Sequence, residues 1–139
     1  MENELTKLSS VLADATERAG RSVVRVDDGT RLTASGVAWA DDLVVATSHG
    51  VETDENLAVE THDGRRLSAT LLGRDEGTDV ALLRVEGGLE PFATAEARVG
   101  SLALAVARPA DRGLQATLGL VSWVGEVGPG SVISTDATL

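Results

Sequence analysis

Between Ser22 and Val85 the chain is written as six short apolar or β-branched runs, each closed by turn residues. This punctuation limits the fold more than anything else in the sequence. The runs cover residues 22–26, 32–40, 43–46, 57–61, 66–72 and 80–85. Between them stand Asp27-Asp28-Gly29, Asp41-Asp42 and His62-Asp63-Gly64-Arg65, the last of which carries the Asp-Gly signal of a hairpin. Runs this short read as strands, and six of them suit a small antiparallel barrel. Only 2% of the residues are aromatic, so the core of such a barrel has to be packed from Val, Leu and Ala. Ser35-Gly36 inside the second run predicts a bulge or a close backbone approach.

The pattern breaks at Gly87-Gly88-Leu89-Glu90-Pro91 and resumes at residues 101–107, 115–124 and 131–134. Three strands cannot close a barrel, so this second unit is expected to be incomplete. Ahead of the strands, Leu5, Leu8, Leu12 and Ala15 recur at helical spacing, and Gly20 can end the helix they define. That helix is expected to pack on the domain it precedes. The expected organisation is a helix over 1–20, a first barrel over 21–87, a linker over 88–99 and an incomplete second barrel over 100–139.

Charge and composition narrow the chemistry. A net charge of −10 argues against a nucleic-acid backbone or an anionic membrane as partner. The absence of cysteine excludes disulfides and thiol catalysis, and two histidines, His49 and His62, make a zinc centre improbable. No metal or cofactor is expected. The acidic start, Met1-Glu2-Asn3-Glu4, leads into no apolar segment, and no run approaches membrane-spanning length. As written the chain is expected in the cytoplasm, or in the cell envelope should a leader be missing.

Two positions carry chemistry. His49 ends the run Leu43-Val44-Val45-Ala46-Thr47-Ser48, and Asp79 opens the run Val80-Ala81-Leu82-Leu83. Taken alone, a strand-end histidine is more often a structural hydrogen-bonder, and a strand-head aspartate a turn residue. Together they are two members of a hydrolase triad. His62 reads as a solvent-exposed turn residue. Trp39 and Trp123 read as core or barrel-rim packing. Ser131, in Gly128-Pro129-Gly130-Ser131, is followed by Val132-Ile133, so its backbone heads into a strand. It lacks the turned amides that an oxyanion hole needs and reads as a hairpin residue.

Four stretches, in order, resemble the trypsin-like serine proteases of the HtrA (Deg) branch. They are Thr33-Ala34-Ser35-Gly36-Val37-Ala38-Trp39; Val44-Val45-Ala46-Thr47-Ser48-His49; Gly73-Arg74-Asp75 with Thr78-Asp79-Val80-Ala81-Leu82-Leu83; and Val99-Gly100-Ser101-Leu102 with Thr117-Leu118-Gly119-Leu120-Val121-Ser122. The resemblance implies an all-β, two-barrel chymotrypsin-like fold and proteolysis by acyl transfer to serine. His49 would be the general base, and Asp79 would hold its other ring nitrogen. Peptides or unfolded proteins would be the substrates, and the full-length protein has scope to form a homo-oligomer.

Three features depart from the family pattern. Gly50 replaces the aliphatic residue common after the histidine, which is expected to loosen the ring's seat. Ala34 stands where the first glycine of Gly-Ser-Gly is usual. The nucleophile loop, Gly-x-Ser-Gly-Gly-Pro, is absent: the family places it directly after a segment like Ser134-Thr135-Asp136-Ala137-Thr138-Leu139, where this sequence stops. The chain is therefore expected to be an inactive portion of a serine endopeptidase. The rival expectation is a finished, non-catalytic barrel module that binds a peptide or partner protein.

Overall fold

The structure, a computed structural model, describes residues 3–30, 33–109 and 112–139. Leu32, at the head of the second run, lies outside the described residues.

Helix α1 spans Glu4–Gly20. The Asn3 side chain caps it by accepting from the Thr6 amide at 2.8 Å, with Glu4 in the first turn and Arg18 in the last, as the helix dipole favours. The helix ends at Gly20, where a Cβ would meet Leu114 Cδ2 at 2.8 Å and so has no room, and the capping Arg21 keeps right-handed dihedrals. Packing is confined to the C-terminal half. Gly20 is buried and Leu12 and Ala15 are half-buried, but Leu5, Leu8 and Val11 are exposed. The helix therefore meets the strands that follow it through that half, and the N-terminal part of its apolar stripe faces solvent.

Seven strands follow in one antiparallel sheet: β1 (Val23–Asp27), β2 (Ala34–Ala40), β3 (Leu43–Thr47), β4 (Ala58–Glu60), β5 (Arg66–Ser68), β6 (Thr70–Asp75) and β7 (Val80–Arg84). Their spatial order is β5-β4-β1-β2-β3-β7-β6. The two outermost strands are separated in the chain by Ala69 alone, so residues 66–75 form one strand bent at that point. Its first half pairs with β4 and its second half with β7, which curls the sheet on itself. Ala69 marks the corner by donating to the Leu57 carbonyl at 2.9 Å. Inside lie Val24, Val26, Val44, Val59, Ala81 and Leu83, with Val85 and Leu89 beneath. The core is indeed built from Val, Leu and Ala. Gly36 is a close approach, since a Cβ there would sit 2.7 Å from Val44 Cγ1. The bulge in β2 falls further along, between Ala38 and Ala40.

The second sheet is smaller, with β8 (Leu102–Ala107), β9 (Gln115–Val127) and β10 (Gly130–Thr135) in the order β10-β9-β8. It is separate from the first, but it does not have a core of its own. Among the described residues of this sheet only Val121 is a buried hydrophobic, and Leu118, Leu120, Val124 and Ile133 are exposed. The connection between the sheets runs along the first one: the Leu89 and Phe92 amides donate to the Asp41 and Ala38 carbonyls. Arg108 fastens the units together. Its backbone amide donates to Ser35 Oγ at 2.8 Å, and its guanidinium to the Val23 and Gly20 carbonyls at 3.0 and 2.8 Å.

Candidate active site

Strands β3 and β7 are neighbours, with Thr47 opposite Val80. The residues just after β3 and just before β7 must therefore meet, and these are Ser48-His49 and Asp79. After Thr47 the chain leaves the sheet in a tight turn, with Gly50 and Val51 amides donating to the Thr47 and Ser48 carbonyls. Val51, fully buried, anchors the far side of that turn. The β6–β7 turn is held by Asp75, which accepts from the Gly77 amide and the Thr78 hydroxyl. It delivers Asp79 at φ 58°, a left-handed conformation that costs a non-glycine residue about 1 kcal/mol. Aspartate and asparagine tolerate it best.

The Asp79 carboxylate is used at both oxygens. Oδ1 accepts from the His49 backbone amide at 2.9 Å, and Oδ2 lies 2.5 Å from His49 Nδ1. The Asp79 carbonyl accepts from the Ser48 amide at 3.0 Å. Donation from the His49 amide, then from its ring, holds the Asp79 carboxyl below the ordinary value against a small opposing effect of burial. With Nδ1–H committed to the carboxylate, neutral imidazole presents Nε2 as an acceptor. Both side chains are open to solvent, His49 by 77% and Asp79 by 46%.

Other residues shape the setting. Arg74, on β6, donates from Nη1 to the Ser48 carbonyl at 3.0 Å and to Ser48 Oγ at 3.2 Å. Buried Asp28 accepts from the Thr30 amide and hydroxyl and from the Glu52 and Thr53 amides. It thereby pins the segment that follows His49. Burial opposes its ionisation, but those donors together outweigh burial and hold the carboxyl below its ordinary value. Neither role is visible in the sequence, where Asp28 reads as a turn residue and Arg74 as part of a motif. At Gly50 a Cβ would stand 2.8 Å from Ala34 Cβ and 2.7 Å from Thr47 Oγ1, so the space that an aliphatic residue's Cβ would take is already crowded.

His49 lies between two clefts. One, of about 430 Å³, is lined by Ser48, Val51, Glu52, Arg74, Glu76 and Asp79. The other, of about 600 Å³, includes Ser35, Thr47, Gly50 and Leu139. Of the nearby serines, Ser35 Oγ accepts from the Arg108 amide and Ser48 Oγ accepts from Arg74. Ser131 lies in the β9–β10 hairpin and donates to Glu126 Oε1 at 3.0 Å. His62 faces Glu90 at 3.7 Å instead of standing free in solvent. Trp39 is on the rim, exposed on the β2 bulge and edge-on to Phe92 at 5.3 Å between ring centroids. Trp123 is also exposed, so neither tryptophan is a core residue.

A curled antiparallel barrel with an imidazole–carboxylate pair at its rim, followed by strands of a second unit, has the architecture of a chymotrypsin-like protease. The comparisons agree. Residues 34–139 match the model of the trypsin-like peptidase domain. The chain is similar to the periplasmic pH-dependent serine endoprotease DegQ of Escherichia coli (strain K12), at 38% identity over 56% of this chain and 19% of DegQ. It also resembles the crystal structure of a serine endoprotease from Yersinia pestis, with a TM-score of 0.73 and 28% identity over 81% of this chain and 44% of that one. This chain belongs to the trypsin-like peptidase family, on its HtrA branch. It spans less than half the length of either relative.

Proposed function

We propose that the chain supplies the general-base half of an HtrA-type serine endopeptidase. His49 takes the proton from a serine hydroxyl at Nε2 and returns it to the leaving amine. Asp79 fixes the tautomer and stabilises the imidazolium. The observation that carries the reading is the Nδ1–Oδ2 contact of 2.5 Å, which leaves Nε2 to serve a nucleophile. Leu139 lines the same cleft as His49, so chain continuing from it starts beside the imidazole. In this reading the nucleophile and oxyanion hole come from chain beyond Leu139, residues 21–87 and 100–139 belong to separate barrels joined through 88–99, and the chain alone is inactive. Peptides and unfolded proteins are the substrates, in keeping with the endoprotease names of both relatives. The periplasmic location in DegQ's name supports a cell-envelope setting over a cytoplasmic one, and fractionation of the full-length protein tests it.

The test of mechanism is peptide hydrolysis by a chain continued in frame beyond Leu139. Hydrolysis that is abolished in His49→Ala is the expected result. Hydrolysis that survives His49→Ala overturns the assignment.

A further inference from the structure

Ser48 and His49 share one planar peptide unit, and both of its polar ends are held. At one end the Ser48 carbonyl accepts from Arg74 Nη1 at 3.0 Å. At the other the His49 N–H donates to Asp79 Oδ1 at 2.9 Å. Because the unit is planar, turning the peptide to release one bond breaks the other as well. The two bonds also act on each other. A cation on the carbonyl oxygen draws electron density through the amide and strengthens the N–H as a donor to the carboxylate. That carboxylate in turn holds the imidazole. Among the described residues, Arg74 makes no ion pair although Glu52 and Glu76 line the same cleft, so its charge is directed at the peptide. The same nitrogen also reaches Ser48 Oγ, and Ser48 is buried beneath it.

We infer that Arg74 is a positioning residue: it clamps and polarises the Ser48–His49 peptide, and through it fixes the Asp79 carboxylate and the His49 ring in register. The functional meaning of this rests on the proposed role of His49, but the clamp itself can be measured without catalysis. Both bonds leave from a single nitrogen, so a lysine ammonium can replace them, whereas an uncharged side chain cannot.

The experiment is NMR on the 139-residue chain, comparing wild type with Arg74→Lys and Arg74→Met. Arg74 is exposed on β6, and circular dichroism checks that each variant folds. In Arg74→Met the His49 amide is expected to exchange about tenfold faster, the scale of one lost hydrogen bond. The low-field His49 Nδ1 proton broadens in parallel, while the Leu83 amide in the core strand keeps its protection. Arg74→Lys keeps both His49 signals. If Arg74→Met does not fold, Arg74→Gln takes its place against Arg74→Lys. Unchanged His49 signals in the uncharged variant overturn the inference, as does an equal loss of protection at Leu83, which would make Arg74 merely structural. In the continued, active chain the positioning role predicts a lower kcat at constant KM for Arg74→Met. Activity that survives His49→Ala removes the proposed function and leaves the clamp measurement standing.

Discussion

Ala34 carries a methyl group and Gly50 none, and the two facts are one. A Cβ on residue 50 would come within 2.8 Å of the Ala34 methyl, closer than real side chains approach. Gly50 does not have a left-handed φ, so crowding and not backbone conformation is what excludes a side chain there. The two departures from the family pattern therefore answer each other across the cleft beside His49. Gly50→Val alone is expected to cost about 1–3 kcal/mol through overpacking. Ala34→Gly alone should cost roughly 0.5–1 kcal/mol, the usual penalty for glycine in a strand. Combined, they should be less destabilising than their sum, and urea unfolding of the four proteins measures the coupling. Additive costs would show the pairing to be incidental. Asp28 gives a second prediction at this scale. Its folded pKa lies below the unfolded value, so its contribution is fully present above about pH 4 and is lost as pH falls through the folded value. The thermal midpoint of Asp28→Asn should therefore lie below wild type at pH 6 and converge with it in acid. Parallel curves down to pH 2 would dismiss the carboxylate as the source.

Among the elements, the last strand matters most to the site. After β10 the chain folds back over β9: Asp136 accepts from the Leu120 amide at 2.7 Å and the Thr135 hydroxyl donates to the Leu120 carbonyl at 2.9 Å. Three residues past this strap, Leu139 lines the cleft beside His49. The strap needs Gly119, where a Cβ would stand 2.4 Å from the Ala137 amide nitrogen and from Asp136 Oδ1. Gly119→Ala is expected to lift the strap. The Leu120 amide should then exchange faster while the amides of β1 to β7 hold; a protected Leu120 in that variant would refute the account. The strands themselves were legible in the sequence, because turn dipeptides bound them and the alternative, a helix, needs longer runs. The proximity of His49 and Asp79 was legible for a related reason, since each marks the end of an apolar run. What the sequence hid depends on which distant faces meet. The corner at Ala69 looks like the middle of an ordinary strand. Arg108 follows an apolar run with nothing in the sequence to mark it, yet it joins Gly20, Val23 and Ser35 across 73 to 88 positions. Leu89 sits in a Gly- and Pro-rich break and still enters the first core, because its amide pairs with Asp41.

At the scale of the whole molecule, the first barrel has a closed core, whereas the second sheet leaves its apolar residues exposed and the His49–Asp79 pair open to water. An exposed, screened pair contributes little to transition-state stabilisation, because electrostatic preorganisation needs a site from which water is excluded. A serine-directed fluorophosphonate probe tests the proposed function against the binding-module reading. Under the proposed function the 139-residue chain is expected to show no labelling above background. The chain continued in frame past Leu139 should label at a serine in the continuation, and His49→Ala should abolish most of that labelling. Asp79→Asn is the finer probe. Asparagine tolerates the left-handed φ of 58°, so the turn survives, but its amide cannot accept from Nδ1–H and from the His49 amide as a carboxylate does. Turnover should then fall by about 10⁴-fold with the fold intact, the scale seen when a triad loses its aspartate. Labelling of the short chain at Ser131 would contradict the hairpin role that its bond to Glu126 gives it. If the continued chain folds and carries a serine loop but never labels, the same barrel serves as a binding module, and His49 and Asp79 are only a turn lock between β3 and β7.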